Sequence, residues 1–197
     1  MKPVYFFLAL MIIVGTLGCK TTESITSAPA ATESQDLFTT ATEYWSADGD
    51  ATWTLSDGIL EGKGSTGMAV STQTFADFEL IAEFMPDDTV NSGIFVRCPR
   101  DKFNPRDGYE INIWDDHANQ DFRTGAIVTY GKPLAHVNSK GQWNTYKIRV
   151  IGDHIQIWLN DIKTADMVND GPKDGHVGLQ VNNGSIKFRN VRITPYK

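Results

Sequence analysis

The stretch GYEINIWDD, residues 108–116, alternates as a strand does. Tyr109, Ile111 and Ile113 fall to one side, and Glu110, Asn112 and Trp114 to the other. The same two-residue period recurs in residues 78–84, where Phe78, Leu80, Ala82 and Phe84 share a side. Further strand-like runs cover residues 53–55, 59–62, 68–71, 93–98, 124–129, 143–151, 154–159, 177–181 and 186–193. Turn signals separate them roughly every 8–12 residues, the rhythm of sandwiches and barrels. Asp57-Gly58 and Gly152-Asp153 each stand between two runs and predict hairpins. The apolar parity changes between Phe188 and Val191, which predicts a bulge at Arg189-Asn190. No run keeps a helical period beyond a turn or two. The expected fold is all-β: two antiparallel sheets packed face to face as a jelly-roll sandwich, with a concave groove on the outside of one bent sheet.

The chain has 197 residues, 41% of them hydrophobic, which is enough for one domain with a real core. Its net charge of −6 is spread along the chain, and no basic stripe interleaves with aromatics, so nucleic acid is not an expected partner. The first 19 residues read as an export leader. Lys2 supplies a positive start, and the apolar run 4–14 is too short for a membrane span of ~20 residues. It ends in Gly18-Cys19, which resembles a bacterial lipobox, although Thr16 stands where an aliphatic residue is usual. Cys19 would then carry the lipid, and the membrane would be a partner through that anchor only. The alternative is an ordinary secretory leader; both readings export the protein. Lys20 rather than Asp follows the Cys, so the expected place is the outer membrane or periplasm, or the cell surface. Residues 20–41 are rich in Ser, Thr and Ala and read as a flexible tether, and residues 42–197 as the sandwich domain. With Cys19 acylated only Cys98 remains as a thiol, so no disulfide is available. Cys98 ends an apolar run without a cysteine-enzyme signature and reads as structural.

The polar residues that stand on strands carry the functional reading. In residues 91–97 Ile94 and Val96 point inward, which sends Phe95 and Arg97 outward beside Asn91. In residues 178–182 Leu179 and Val181 point inward and leave Gln180 and Asn182 outside. If these strands are neighbours, Arg97, Glu110, Asn112, Gln180 and Asn182 share one face. Planar amides and a carboxylate bind vicinal hydroxyls, and Tyr109, Trp114 or Tyr130 could stack on a sugar ring. The competing reading is a solvated face with cross-strand pairs such as Arg97–Glu110. Asp115, Asp116 and Asp121 lack the ordered spacing of a calcium loop, and the four histidines form no zinc spacing.

Eight short motifs carry a family resemblance: F-x-D-F-E-L (75–80), N-S-G-I-F-x-R (91–97), G-Y-E-x-x-I-x-D (108–115), T-G-A-I (124–127), W-N-x-Y-x-I (143–148), L-N (159–160), G-L-Q (178–180) and F-R-N-V-R-I (188–193). Together they resemble the 3-keto-disaccharide hydrolase domain family over about residues 42–195. The resemblance implies a concanavalin A-like sandwich, often in exported lipoproteins, acting on 3-keto-glycosides. A ketone at C3 acidifies the hydrogen at C2, so a base there lets the enolate expel the group at C1. The roles this implies are Glu110 as base, Arg97 or a divalent metal ion at the enolate, and Asp115 or His117 assisting the leaving group or holding the metal. Asn91, Tyr109, Asn112, Trp114, Tyr130, Gln180 and Asn182 would contact substrate. Two departures stand out: Asn112 where relatives often carry Gln, and Asn182 where they often carry His. An amide cannot act as a general base. Two alternatives therefore remain open, a non-catalytic carbohydrate-binding lipoprotein and a glucanase-like hydrolase whose E-x-x-x-x-D pair, Glu110 and Asp115, would cleave directly.

Overall fold

The computed structural model describes residues 29–38, the backbone of 42–45, and 50–197. Cys19 and the leader lie outside the described residues. The strands in chain order are β1 (Gln35–Asp36), β2 (Thr42–Trp45), β3 (Thr52–Ser56), β4 (Ile59–Lys63), β5 (Gly67–Thr74), β6 (Phe78–Pro86), β7 (Ser92–Cys98), β8 (Tyr109–Ile113), β9 (Asn144–Ile151), β10 (His154–Leu159), β11 (Ile162–Val168), β12 (His176–Val181) and β13 (Ser185–Pro195). They form two antiparallel sheets. One runs β11-β10-β9-β6-β13-β4-β3 with β1 alongside β13, and the other runs β2-β5-β12-β7-β8.

Alternation builds the core. Leu80, Phe84, Ile148 and Phe188 from the larger sheet pack with Ile94, Ile111, Leu179 and Val181 from the smaller one. Each is 0% exposed, and burying such a side chain contributes roughly 1.5–3 kcal/mol. The two predicted hairpins form. Ser56 pairs with Ile59 across Asp57 and Gly58, both at positive φ (52° and 74°), the primed turn that suits strand twist. Ile151 pairs with His154 across Gly152-Asp153. The bulge also forms: the β13–β6 register shifts between Arg189 and Arg192, with Asn190 at φ 50°.

Four expectations need correction. Residues 124–129 do not form a strand, because Gly125 (φ 93°) and Thr129 (φ 70°) interrupt the extended chain. That segment lies against β8 through isolated bonds, such as Val128 N–H to the Glu110 carbonyl. A strand absent from the sequence pattern, β11, returns from β10 over Asn160-Asp161, both at positive φ. The sandwich begins before residue 42. Gln35 and Asp36 pair with Ile193 and Arg192, and Phe38 is buried in the core.

The fourth correction concerns Arg97. Gly178 stands opposite Phe95 while His176 stands opposite Cys98, so Val96 and Arg97 together face Val177. This bulge, with Arg97 at φ 54°, reverses the parity. Cys98 joins Phe95 on the outside, and Arg97 turns inward to become 2% exposed.

Candidate functional site

The outer face of the smaller sheet follows from the pairing register. On it Phe95 stands beside Glu110, and Gly93 beside Asn112. Gly178 lies between Phe95 and Val70, and Gln180 lies opposite Met68. Asn91 and Asn182 continue the face, joined by reciprocal backbone bonds. The fold thus brings Asn91, Glu110, Asn112, Gln180 and Asn182 onto one face around Gly93.

Gly93 leaves room on that floor for the Glu110 carboxyl. A Cβ there would lie 3.1 Å from both Cγ and Oε1 of Glu110, so the carboxyl leans over the glycine. Glu110 is 7% exposed, and its side chain forms no hydrogen bond or ion pair with the described residues. Burial pushes its carboxyl up to about 7. On the same face, Gln180 Oε1 is buried without a hydrogen-bond partner. A buried polar atom left unpaired costs about 1–3 kcal/mol, which a ligand hydroxyl or amide would relieve. One end of the face is apolar: Met68, Val70, Phe95 and Cys98 form a cluster outside the main core, covered by Phe103. The Phe103 ring meets Phe95 edge-on at 6.0 Å, and a Cβ at Gly178 would come within 2.6 Å of it. Burial pushes the Cys98 thiol up to about 12, so it is a poor nucleophile at neutral pH.

The structure takes several expected residues off this face. The Arg97 guanidinium donates to the carbonyls of Ala76, Gly152 and Pro172 and pairs with Asp77 at 3.1 Å. It clamps one end of the sandwich and has no capacity left for an enolate. Tyr109 is 0% exposed in the core, its hydroxyl 2.9 Å from Asn169 Oδ1 and its ring 5.2 Å from that of Tyr130. Neither ring stands on the face with Glu110. Asn112 is on the face but committed: its amide donates to the Phe122 carbonyl, and its Oδ1 accepts from Ile113 N–H. Asn182 Oδ1 accepts from Thr66 Oγ1 at 3.4 Å.

Asp115 is a structural tie. Its carboxylate accepts from Ser139 N–H (2.6 Å), Ser139 Oγ (2.9 Å) and Lys140 N–H (3.2 Å), and Arg123 stands 3.8 Å away. His117 is held between Trp114 (4.5 Å) and Phe122 (5.7 Å), with Nδ1 accepting from Asn119 N–H. Trp114 is therefore engaged in its own loop. Asp116 pairs with Lys140. Among the described residues no three His, Cys, Asp or Glu side chains gather where a metal ion could sit, so Asp115 and His117 do not fit as metal ligands.

Two contributors carry no mark in the sequence. Gly93 is one letter of the N-S-G-I-F-x-R motif, yet its missing side chain is what admits the Glu110 carboxyl. Phe103 is a lone aromatic in a charged loop, and only its seat on Phe95 reveals a role. Gly93→Ala is expected to keep the fold, at a cost of about 1–3 kcal/mol for the added methyl. By displacing the Glu110 carboxyl it is expected to lower kcat by about 10²-fold. Steady-state kinetics beside a melting curve checks both.

Residues 33–194 match the family described as the 3-keto-alpha-glucoside-1,2-lyase-like domain. The chain belongs to this family. Among solved structures, a protein classed as a glycosyl hydrolase from Parabacteroides distasonis ATCC 8503 is similar to this lyase-like domain at 26% identity and a TM-score of 0.70, covering 82% of this chain and 98% of that one. The carbohydrate-binding module CBM66 from Bacillus subtilis shares the fold at 19% identity and a TM-score of 0.57, covering 73% of this chain and 91% of that one. The Bacillus licheniformis beta-glucanase shares it at 12% identity and a TM-score of 0.55, covering 79% and 92%. No curated protein sequence matches this lyase-like chain.

Proposed function

We propose that this domain cleaves 3-keto-glycosides by elimination, with Glu110 as the base. The observation that carries the reading is the Glu110 carboxyl: sheltered, unpartnered, raised to about 7, and packed over Gly93 on the face that also holds the unpaired Gln180 oxygen. A base needs an affinity near the working pH and freedom from competing partners, and Glu110 has both. The family's description as a 1,2-lyase-like domain supports the same chemistry. The Glu110 carboxylate takes the proton from C2, and the C2–H electron pair forms the enolate of the C3 ketone. That enolate expels the oxygen at C1 and leaves a C1–C2 double bond conjugated with the ketone. The leaving oxygen takes a proton, and Glu110, now protonated, stands on the face to return it. Water adding across the double bond then yields the free 3-keto sugar. Gln180 would hydrogen-bond a substrate oxygen beside Gly93.

A second reading is a carbohydrate-binding protein without turnover. It is favoured by Asn182, an amide where relatives often carry His, already bonded to Thr66. Direct hydrolysis by two carboxylates is not favoured, because Asp115 is consumed by Ser139, Lys140 and Arg123. The test is to offer the protein a 3-keto-disaccharide and its unoxidised parent. Cleavage of the keto sugar alone is expected. Saturable binding without cleavage of either would establish the binding reading, and cleavage of both at similar rates would sink the elimination.

We also propose that the protein is an exported lipoprotein anchored through Cys19 at the outer membrane or cell surface. Its support is the apolar leader ending in Gly18-Cys19 and the Ser/Thr/Ala-rich segment before the domain. Cys19→Ser is expected to move the protein from the detergent phase to the aqueous phase on partitioning. Retention in the detergent phase would argue against the anchor.

A further inference from the structure

The row that crosses the outer face from Glu110 is apolar. Glu110 stands opposite Phe95 on β7, Phe95 opposite Gly178 on β12, and Gly178 opposite Val70 on β5. None of these three positions beyond the base carries a polar side chain. Met68, opposite Gln180, and Cys98 complete the apolar group. The amides of Asn91 and Asn182 lie the other way along the strands. The floor is therefore divided, with Glu110 at the boundary.

Phe103 raises the apolar half into a wall. Gly178 has no side chain, and the Phe103 ring takes the room: a Cβ there would lie 2.6 Å from Cε1 and 2.9 Å from Cδ1 of that ring. Phe103 is half-buried, while Met68, Val70 and Phe95 are closed off beneath it. Its loop is pinched at the base, where a Cβ at Gly108 would overlap Cys98 Sγ. Within the loop, Asn104 Oδ1 accepts from Arg106 N–H at 2.9 Å. Two strand spacings, roughly 9–10 Å, separate Gly178 from Glu110. A hexose over Gly93 with an aryl ring on its C1 oxygen can bridge that separation.

The fate of the leaving oxygen points the same way. Asp115 and His117, which the sequence offers for protonating it, are engaged in their own loop. His176 lies past Phe95 and Gly178, with its Nδ1 turned to the Ser71 carbonyl at 2.8 Å. Such a face suits a group that departs readily as an anion. A phenol ionises near pH ~10, as tyrosine does, and a sugar hydroxyl is a far weaker acid.

We propose that the group expelled from C1 is a phenol and that the Phe103 wall binds its ring. The inference rests on the elimination at Glu110 proposed above and names its substrate class, the 3-keto-glycosides of aromatic alcohols. Glu110 takes the C2 proton, and the C2–H electron pair passes through the C3 enolate into the C1–C2 double bond. The C1–O pair leaves on the phenolate, which is protonated after departure. Apolar contact and ring packing against Phe103 hold the leaving ring. A second sugar would find no hydroxyl partners along Phe95, Gly178 and Val70.

The test uses the full chain carrying Glu110→Gln, so that substrates persist during calorimetry. Phenyl and methyl 3-keto-α-glucosides are titrated with and without Phe103→Ala, and separately with Phe103→Leu. The phenyl glycoside is expected to bind about tenfold more tightly than the methyl one. Phe103→Ala is expected to cut that advantage below about twofold while methyl binding, which reports an intact fold, stays unchanged; Phe103→Leu keeps part of it. Equal binding of the two glycosides, an advantage that survives Phe103→Ala, or equal losses for both would overturn the phenol wall and leave the elimination at Glu110 standing. Binding of neither glycoside to the Glu110→Gln chain would overturn the carbohydrate reading and the wall with it.

Discussion

Glu110→Gln is expected to lower turnover of a 3-keto-glycoside by about 10²–10⁴-fold, the usual contribution of a positioned base. The wild-type rate is expected to rise with pH through about 7, where the carboxyl ionises. The same substitution is expected to raise stability at pH 8. The ordinary value of 4.5 describes Glu110 in the unfolded chain, and burial raises it to about 7 in the fold. The sheltered, protonated carboxyl therefore favours the fold fully below pH 4.5, and that benefit is lost as pH rises through about 7. Above that range ionisation costs on the order of 3 kcal/mol, and glutamine escapes this cost. A melting curve at pH 8 that shows Glu110→Gln less stable than wild type would contradict the sheltered, unpartnered carboxyl.

Arg97→Met is expected to act on folding alone. It strands the carbonyls of Ala76, Gly152 and Pro172 and frees Asp77, which also accepts from Gly152 N–H at 2.9 Å. The expected loss is about 3–5 kcal/mol. For a domain of this size that is a fall in melting temperature on the order of 10 °C. Below that temperature, kcat is expected to stay within about twofold of wild type, because Arg97 does not reach the face around Gly93. A stable Arg97→Met protein that has lost turnover would return Arg97 to the site.

These two residues show how far the sequence could be read. Glu110 follows from strict alternation with Tyr109, Ile111 and Ile113, and no irregularity intervenes in β8. Gln180 follows the same way from Leu179 and Val181. Arg97 fails because the extra residue of the bulge lies between Val96 and Cys98, where the apolar pattern carries no mark of it. Local composition cannot record a parity change that the partner strand imposes through Val177. Tyr109 shares the core side with Ile111 and Ile113, and the same alternation that puts it there forbids it to stack on a sugar on the opposite side. Asp115 and His117 are close in sequence to Glu110 but leave the strand into a loop. There Ser139, Trp114 and Phe122 claim them, and such distant partners are invisible to spacing. The sandwich itself was legible because hairpins and two-residue periods are local. The residues beside Glu110 were legible only where the alternation held without interruption.

In the proposed elimination the C2 proton is removed before the bond at C1 breaks. An equal mixture of a 3-keto-disaccharide bearing hydrogen at C2 and the same sugar bearing deuterium there would test it most directly. The ratio in the uncleaved pool is read by mass spectrometry at partial conversion. Removal of the proton by Glu110 predicts that the remaining pool becomes enriched in the deuterated sugar. A ratio that stays equal while cleavage proceeds would contradict C2 abstraction as the step that commits the substrate.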